Sequence, residues 1–196
     1  MRDEGPIRAG LTVSAISLAW TVVSGLAAIG IGVARGSLVL VAFGATGALD
    51  AVGSAALVLH FRHALHHAVI SDRRERVALH VITVGLIVLG AATAGESVHR
   101  LVGDARPKSA PEGIALASAS AVILAVLGSK KRRTAPSIPS PALTADGWVS
   151  TIGALLATVT VIGTAVGAAG WHWVDAAAAL VVAVGAIAIA FELRRE

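Results

Sequence analysis

The sequence predicts an all-α membrane protein, a six-transmembrane-helix bundle with both termini in the cytoplasm. Three observations lead there. The 196 residues are 56% hydrophobic and only 14% charged, too little polar surface for a water-soluble domain of this length. The apolar residues fall in long continuous runs of about 18 or more, without the alternation of barrel strands. The basic residues lie between those runs, as juxtamembrane charge does. The net charge of +4 is therefore not the footprint of a nucleic-acid binder, and the chain has no cysteine, which excludes disulfides and thiolate metal sites.

The first span is expected from Ala9 to Val33. The segment before it, MRDEGPIR, leads into an apolar run too long for a signal-peptide core, with no A-x-A-like cleavage site after it. It reads as a retained helix, and Ser14, Ser17, Thr21 and Ser24 recur on one of its faces. The second span, Ser37 to Phe61, carries Asp50 near its middle, with Thr46, Gly47, Gly53 and Ser54 on the same side. The third, Val77 to Val102, has a stripe of His80, Thr83, Gly90, Ala94 and Ser97, and Glu96 toward its outer end. The fourth, Gly113 to Leu127, is the shortest. The fifth, Ala142 to Ala168, presents Asp146, Ser150, Gly153 and Ala157. The sixth, Trp173 to Phe191, begins beside Trp171 and Trp173, indoles that favour the membrane interface. The whole of 1–196 is expected to be one membrane domain, with no soluble C-terminal domain.

Charge orients the bundle. Twelve Lys and Arg residues fall on one side, among them Arg73, Arg74, Arg76 and the run Lys130 to Arg133. Only Arg35, Arg100, Arg106 and Lys108 fall on the other. The positive-inside rule then puts both termini in the cytoplasm. KKRRTAPSIPSP, residues 130–141, reads as a basic, Pro- and Ser-rich linker that fixes orientation and breaks the helix, or else holds anionic lipid. RHALHHAVISDRRER, residues 62–76, joins the second and third spans and is rich in histidine. If the second helix runs on past Arg62, His63 and His67 stand at i and i+4 with His66 beside them. They are then a second candidate metal cluster, or polar filler in a juxtamembrane loop.

Asp50 poses the central question. A carboxylate at mid-membrane costs about 2.5–3.5 kcal/mol on insertion scales, so it is hidden in the bundle and tied to function. Small and polar faces on the first, second, third and fifth helices can turn toward one another, with Asp50 deepest. No Lys or Arg is expected deep enough to neutralise it. Such an acid either stays protonated and hydrogen-bonds between helices, or meets a cation.

The order of parts resembles the membrane domain of the cation diffusion facilitator (cation efflux) family, over Ala9 to Glu196. GSLVLVAFGATGALDAVGSAALVLHFR is similar to the family's second helix, whose two metal-binding positions four residues apart fall on Thr46 and Asp50. LTADGWVSTIGALLA resembles the fifth, RRERVALHVI the charged lead-in to the third, and GWHWVDAAAALVVAVGAIAI the sixth, with its Asp175. The resemblance implies a divalent cation, typically zinc, bound between helices two and five and exported from the cytoplasm across the plasma membrane in exchange for protons. Here the ligand pattern is eroded: Thr46 takes one ligand position, and the fifth-helix positions fall on Val149 and Gly153. Asp50 and Thr46, helped by Ser150, Asp146 or water, make an oxygen-rich set that suits Mn, Co or Fe(II) beside Zn.

No permanently bound cofactor is expected, only the transported cation and protons. Membrane lipid and a second subunit, in a homodimer or hetero-oligomer, are the expected partners. The alternative is a non-transporting member that kept the fold and serves as a membrane assembly partner or scaffold. No nucleophile–base pair, phosphate loop or HExxH helix points to an enzyme.

Overall fold

The computed structural model describes residues 4–66, 72–103, 108, 110–137 and 141–195, but not the side chains of 4, 60, 61, 63–66, 72–82, 141, 142, 145 and 193–195. Six α-helices account for nearly all of it: α1 Glu4–Arg35, α2 Leu38–His66, α3 Asp72–Val102, α4 Pro111–Thr134, α5 Pro141–Ala168 and α6 Trp173–Arg195. Five of them, among the described residues, are long and apolar enough to cross a membrane. The helices outrun the apolar spans because charged residues at a membrane surface need not end a helix. α2 continues through His66, and α4 runs seven residues past Leu127, through the basic run to Thr134, before a short 3₁₀ turn, Ala135–Ser137. The expected linker at Lys130 is therefore largely helix.

α1 and α2 meet in a tight turn. Gly36 has φ 72°, and two backbone bonds close the end of α1, Gly36 N–H to Val33 O at 3.4 Å and Ser37 N–H to Gly32 O at 2.9 Å. A left-handed residue followed by this bond pair is the glycine-terminated helix end, and a side chain at Gly36 would be strained. Ser37 then starts α2. Its hydroxyl accepts from Leu40 N–H at 3.4 Å and donates to Asp175 of α6 at 2.5 Å, while the other Asp175 oxygen accepts from Leu38 N–H at 2.8 Å. Asp175, the acid at the start of the sixth helix, thus caps the first turn of α2 from another helix.

α1, α2, α5 and α4 form a ring, each packed on the next, and α3 pairs with α6 beside α2 and α5. The main apolar core lies at that second junction: Val39 and Ala42 of α2, Leu86 of α3, Leu156 of α5, and Ala179, Val182 and Ala186 of α6. Most are Ala or Val, which lets helices approach closely where lipid tails give no hydrophobic drive to associate. The large exposed side chains, among them Val23, Leu26, Val88, Val122, Leu155 and Val184, point outward. In water such a surface would aggregate; in a bilayer it is the solvated face.

Candidate functional site

Inside the ring each helix follows the same order of side chains. On α1 the apolar pair Ile7 and Leu11 gives way to Ser14, Ser17, Thr21 and Ser24, and then to Ala28. On α2 the order, read backward, is Leu57, then Ser54, Asp50 and Thr46, then Phe43. α4 with the 3₁₀ turn after it, also read backward, gives Ala135, Lys131, Leu127, Leu124 and Ala121, and α5 reads Leu143, Asp146, Ser150 and Ala157. A polar layer therefore sits between two apolar ones, near the end of the ring where α5 begins.

Lys131 is its hub. The side chain is fully buried, and its ammonium donates to Ser17 Oγ at 2.8 Å and to Ser150 Oγ at 3.0 Å. It pairs with Asp146 Oδ2 at 2.5 Å. An ammonium has three N–H donors, and here three oxygens on two other helices surround it. Two hydrogen bonds and one ion pair are the company a buried charge requires, since an unpaired one would cost several kcal/mol of desolvation. Asp146 Oδ1 accepts from Ser54 Oγ of α2 at 3.3 Å, which brings the second helix in.

The backbone makes this approach possible. A Cβ on Gly128 would lie 2.8 Å from the Gly147 carbonyl oxygen, and one on Gly147 would lie 3.2 Å from the Gly128 carbonyl oxygen. The first is a clash with backbone and the second is tighter than ordinary contact, so the close backbone approach of α4 and α5 relies on glycine here. Gly128 is one turn before Lys131, and Gly147 adjoins Asp146. Arg132, the next residue on α4, turns outward and lays its guanidinium 4.2 Å over the Trp148 ring.

Asp50 lies one turn from Ser54 on the same face of α2 and is only half-buried. Its charged neighbours are Asp146 and Lys131. Among the described residues no hydrogen bond or ion pair reaches its carboxylate. Thr46, a turn farther along α2, donates its hydroxyl to Ala42 O at 2.8 Å. Of the four expected ligands, then, Asp146 and Ser150 meet at Lys131, Asp50 stands beside them, and Thr46 is tied to its own helix. Val149 packs against the apolar core, and the Gly153 position faces Leu124. No group of three or more His, Asp or Glu side chains gathers among the described residues. The second candidate cluster, His63, His66 and His67, lies outside the described side chains.

One expectation needs correcting, and one residue is new to the site: Lys131 is buried deep enough to pair with Asp146, though it makes no such pair with Asp50. α4, not α3, completes the polar layer with α1, α2 and α5, since α3 packs with α6 and pairs its Glu96 with Arg100 at 2.8 Å. The four consecutive basic residues hide Lys131, but its register does not. Gly113, Ala117, Ser120, Leu124, Leu127, Lys131 and Ala135 recur every three or four residues and are all buried. One face of α4 thus continues through the basic run, and Lys131 is the member of that run lying on it.

Among the described residues the arrangement holds an internal cation, Lys131, and leaves the Asp50 carboxylate unbonded beside it. A model of the cation efflux transmembrane domain matches residues 14–196. No curated protein matches the chain.

Proposed function

The chain belongs to the cation efflux family, and from that premise we propose that it carries a divalent metal cation out of the cytoplasm in exchange for protons, through the polar layer centred on Asp50. The coarser part is given by membership: this is a multi-pass membrane protein of a family of metal cation transporters, not of enzymes. One observation carries the finer part. Asp50 is a half-buried carboxylate on α2, near the α5 acid Asp146, and among the described residues no hydrogen bond or ion pair reaches it. An acid left unpaired inside a membrane bundle belongs to an ion or proton pathway. Metal and proton compete for the same carboxylate oxygens, so release of one on arrival of the other supplies the antiport step. Hydroxyls from Ser150, Thr46 and Ser54 line the same layer, and an oxygen-rich set suits Zn, Mn, Co or Fe(II) held loosely. We place both termini in the cytoplasm, the chain in the plasma membrane as a single membrane domain, and a second subunit beside it.

Metal flux tests the reading. Purified protein in liposomes holding a metal-sensitive dye is expected to admit at least one of these ions under a pH gradient. Asp50→Asn is expected to abolish that flux. Flux that survives in the mutant removes Asp50 from the pathway.

The second reading is a non-transporting assembly partner, and Lys131 is the observation that favours it. Its ammonium already pairs with Asp146 and donates to Ser150, two of the groups that a metal would use. Folded protein that gives no flux above empty liposomes, for any of the four metals, supports this reading over the first.

A further inference from the structure

We propose that Lys131 is the chain's own tethered cation, which occupies the Asp146 half of the polar layer and so sets how tightly a divalent ion is held. This rests on the reading that the ion binds beside Asp50. The geometry is that of a cation seat already filled. A carboxylate and two serine hydroxyls, from α1 and α5, lie 2.5–3.0 Å from the ammonium nitrogen. Carboxylate and neutral oxygen donors are also what a hard cation takes. The seat is buried, with Lys131 fully covered and Asp146 only 7% exposed.

Charge counting gives the consequence. Among the described residues the charged groups facing the layer are Asp50 on α2, Asp146 on α5 and Lys131 on α4, while α1 contributes hydroxyls. With all three ionised, two acids and one ammonium leave a single negative charge. A divalent ion entering that layer leaves an excess positive charge inside the bundle, where it is costly. The same layer without Lys131 would carry two negative charges and match the ion. Lys131 therefore keeps divalent binding weak, and a site must release its cargo to move it. Nothing in the Asp146 seat needs to change protonation for this to hold. The ammonium competes by charge and by place.

The test is binding of Mn²⁺ and Zn²⁺ to purified protein in detergent, measured by equilibrium dialysis at one fixed pH. Lys131→Met keeps the length of the stem and removes the charge. It is expected to bind at least roughly tenfold tighter than wild type, because a repulsive unit charge close to the ion is gone. Lys131→Arg keeps the charge and is expected to bind like wild type. Asp146→Asn leaves no net charge and is expected to bind most weakly. The double variant Lys131→Met with Asp146→Asn again leaves one negative charge and is expected to return to the wild-type affinity, within roughly threefold.

A folded Lys131→Met that binds no tighter than wild type overturns the proposal. Should Lys131→Met fail to fold, Asp146→Asn and the double variant still differ only at Lys131. Equal affinity of those two overturns the proposal, and tighter binding by the double variant supports it. Failure of the underlying reading looks different. If Lys131→Met tightens binding but Asp50→Asn leaves it unchanged, the tethered cation stands and the centre on Asp50 falls.

Discussion

Asp146 and Asp175 are both buried acids on apolar helices, at opposite ends of the bundle, and they are satisfied in unlike ways. Asp175 faces the first turn of α2, where a backbone N–H and the Ser37 hydroxyl take its two oxygens. Its counter-charge is spread over the free N–H groups of a helix end, partial charges that cannot leave. Asp146 faces a whole unit charge on a flexible stem, with hydroxyls around it. The first arrangement fixes a helix in place. The second holds an ion, and a side-chain ion can be displaced by another. Residue type alone does not separate an acid that fixes a helix from one that pairs with a side-chain ion; the partner does.

Breaking the Asp146 pair is expected to cost the most. Lys131→Met leaves a buried carboxylate without its ion, and removing one partner of such a pair costs about 3–5 kcal/mol. Thermal unfolding in detergent micelles is expected to show it as a clear drop in Tm without metal. The double variant with Asp146→Asn is expected to recover most of the drop, since losing both charges is close to neutral. A double variant as unstable as the single one would mean that packing, not charge, made Lys131 matter. At the other end, Asp175→Ala strips a cap and leaves Leu38 N–H and the Ser37 O–H without their acceptor, at about 1–3 kcal/mol. Its Tm is expected to fall less, and metal is not expected to restore it. Restoration by metal would place Asp175 with the ion-holding acids and erase the contrast.

The smallest effect belongs to the pair that bridges α1 and α4 near Asp175, Arg35 Nη2 to Glu112 Oε1 at 2.7 Å. Its side chains are 40% and 41% exposed, and water and salt screen it. Arg35→Ala is expected to leave Tm unchanged at physiological ionic strength. A drop comparable to that of Asp175→Ala would show that the turn region is held by side chains rather than by its backbone bonds.

Most of the fold was legible because a membrane helix announces itself by length and by uninterrupted apolar character. The helix ends were less legible, since juxtamembrane Arg, Lys and His sit as readily on a continuing helix as in a loop; α4 and α2 both continue where a loop was expected. Of the site, Asp50, Asp146 and Ser150 could be read because a polar residue in an apolar run needs a reason. Lys131 could not be read that way, because it stands among three other basic residues. Only the glycines that bring α4 against α5, and the buried register running through Leu124 and Leu127, single it out. The cross-helix cap by Asp175 was invisible for a different reason: its partners lie 137 and 138 residues away, in a contact that only the folded chain makes.

The two apolar layers on either side of the polar one also have an electrical meaning. A membrane potential of 100 mV does about 2.3 kcal/mol of work on a unit charge carried across. Leu57, Ala135 and Leu143 on one side, and Ala28, Phe43 and Ala157 on the other, are the dielectric between which the polar layer is sandwiched. The bonded pair of Lys131 and Asp146 has no net charge, so a uniform field can turn it but not push it. Asp50, ionised, is the group on which the voltage would pull.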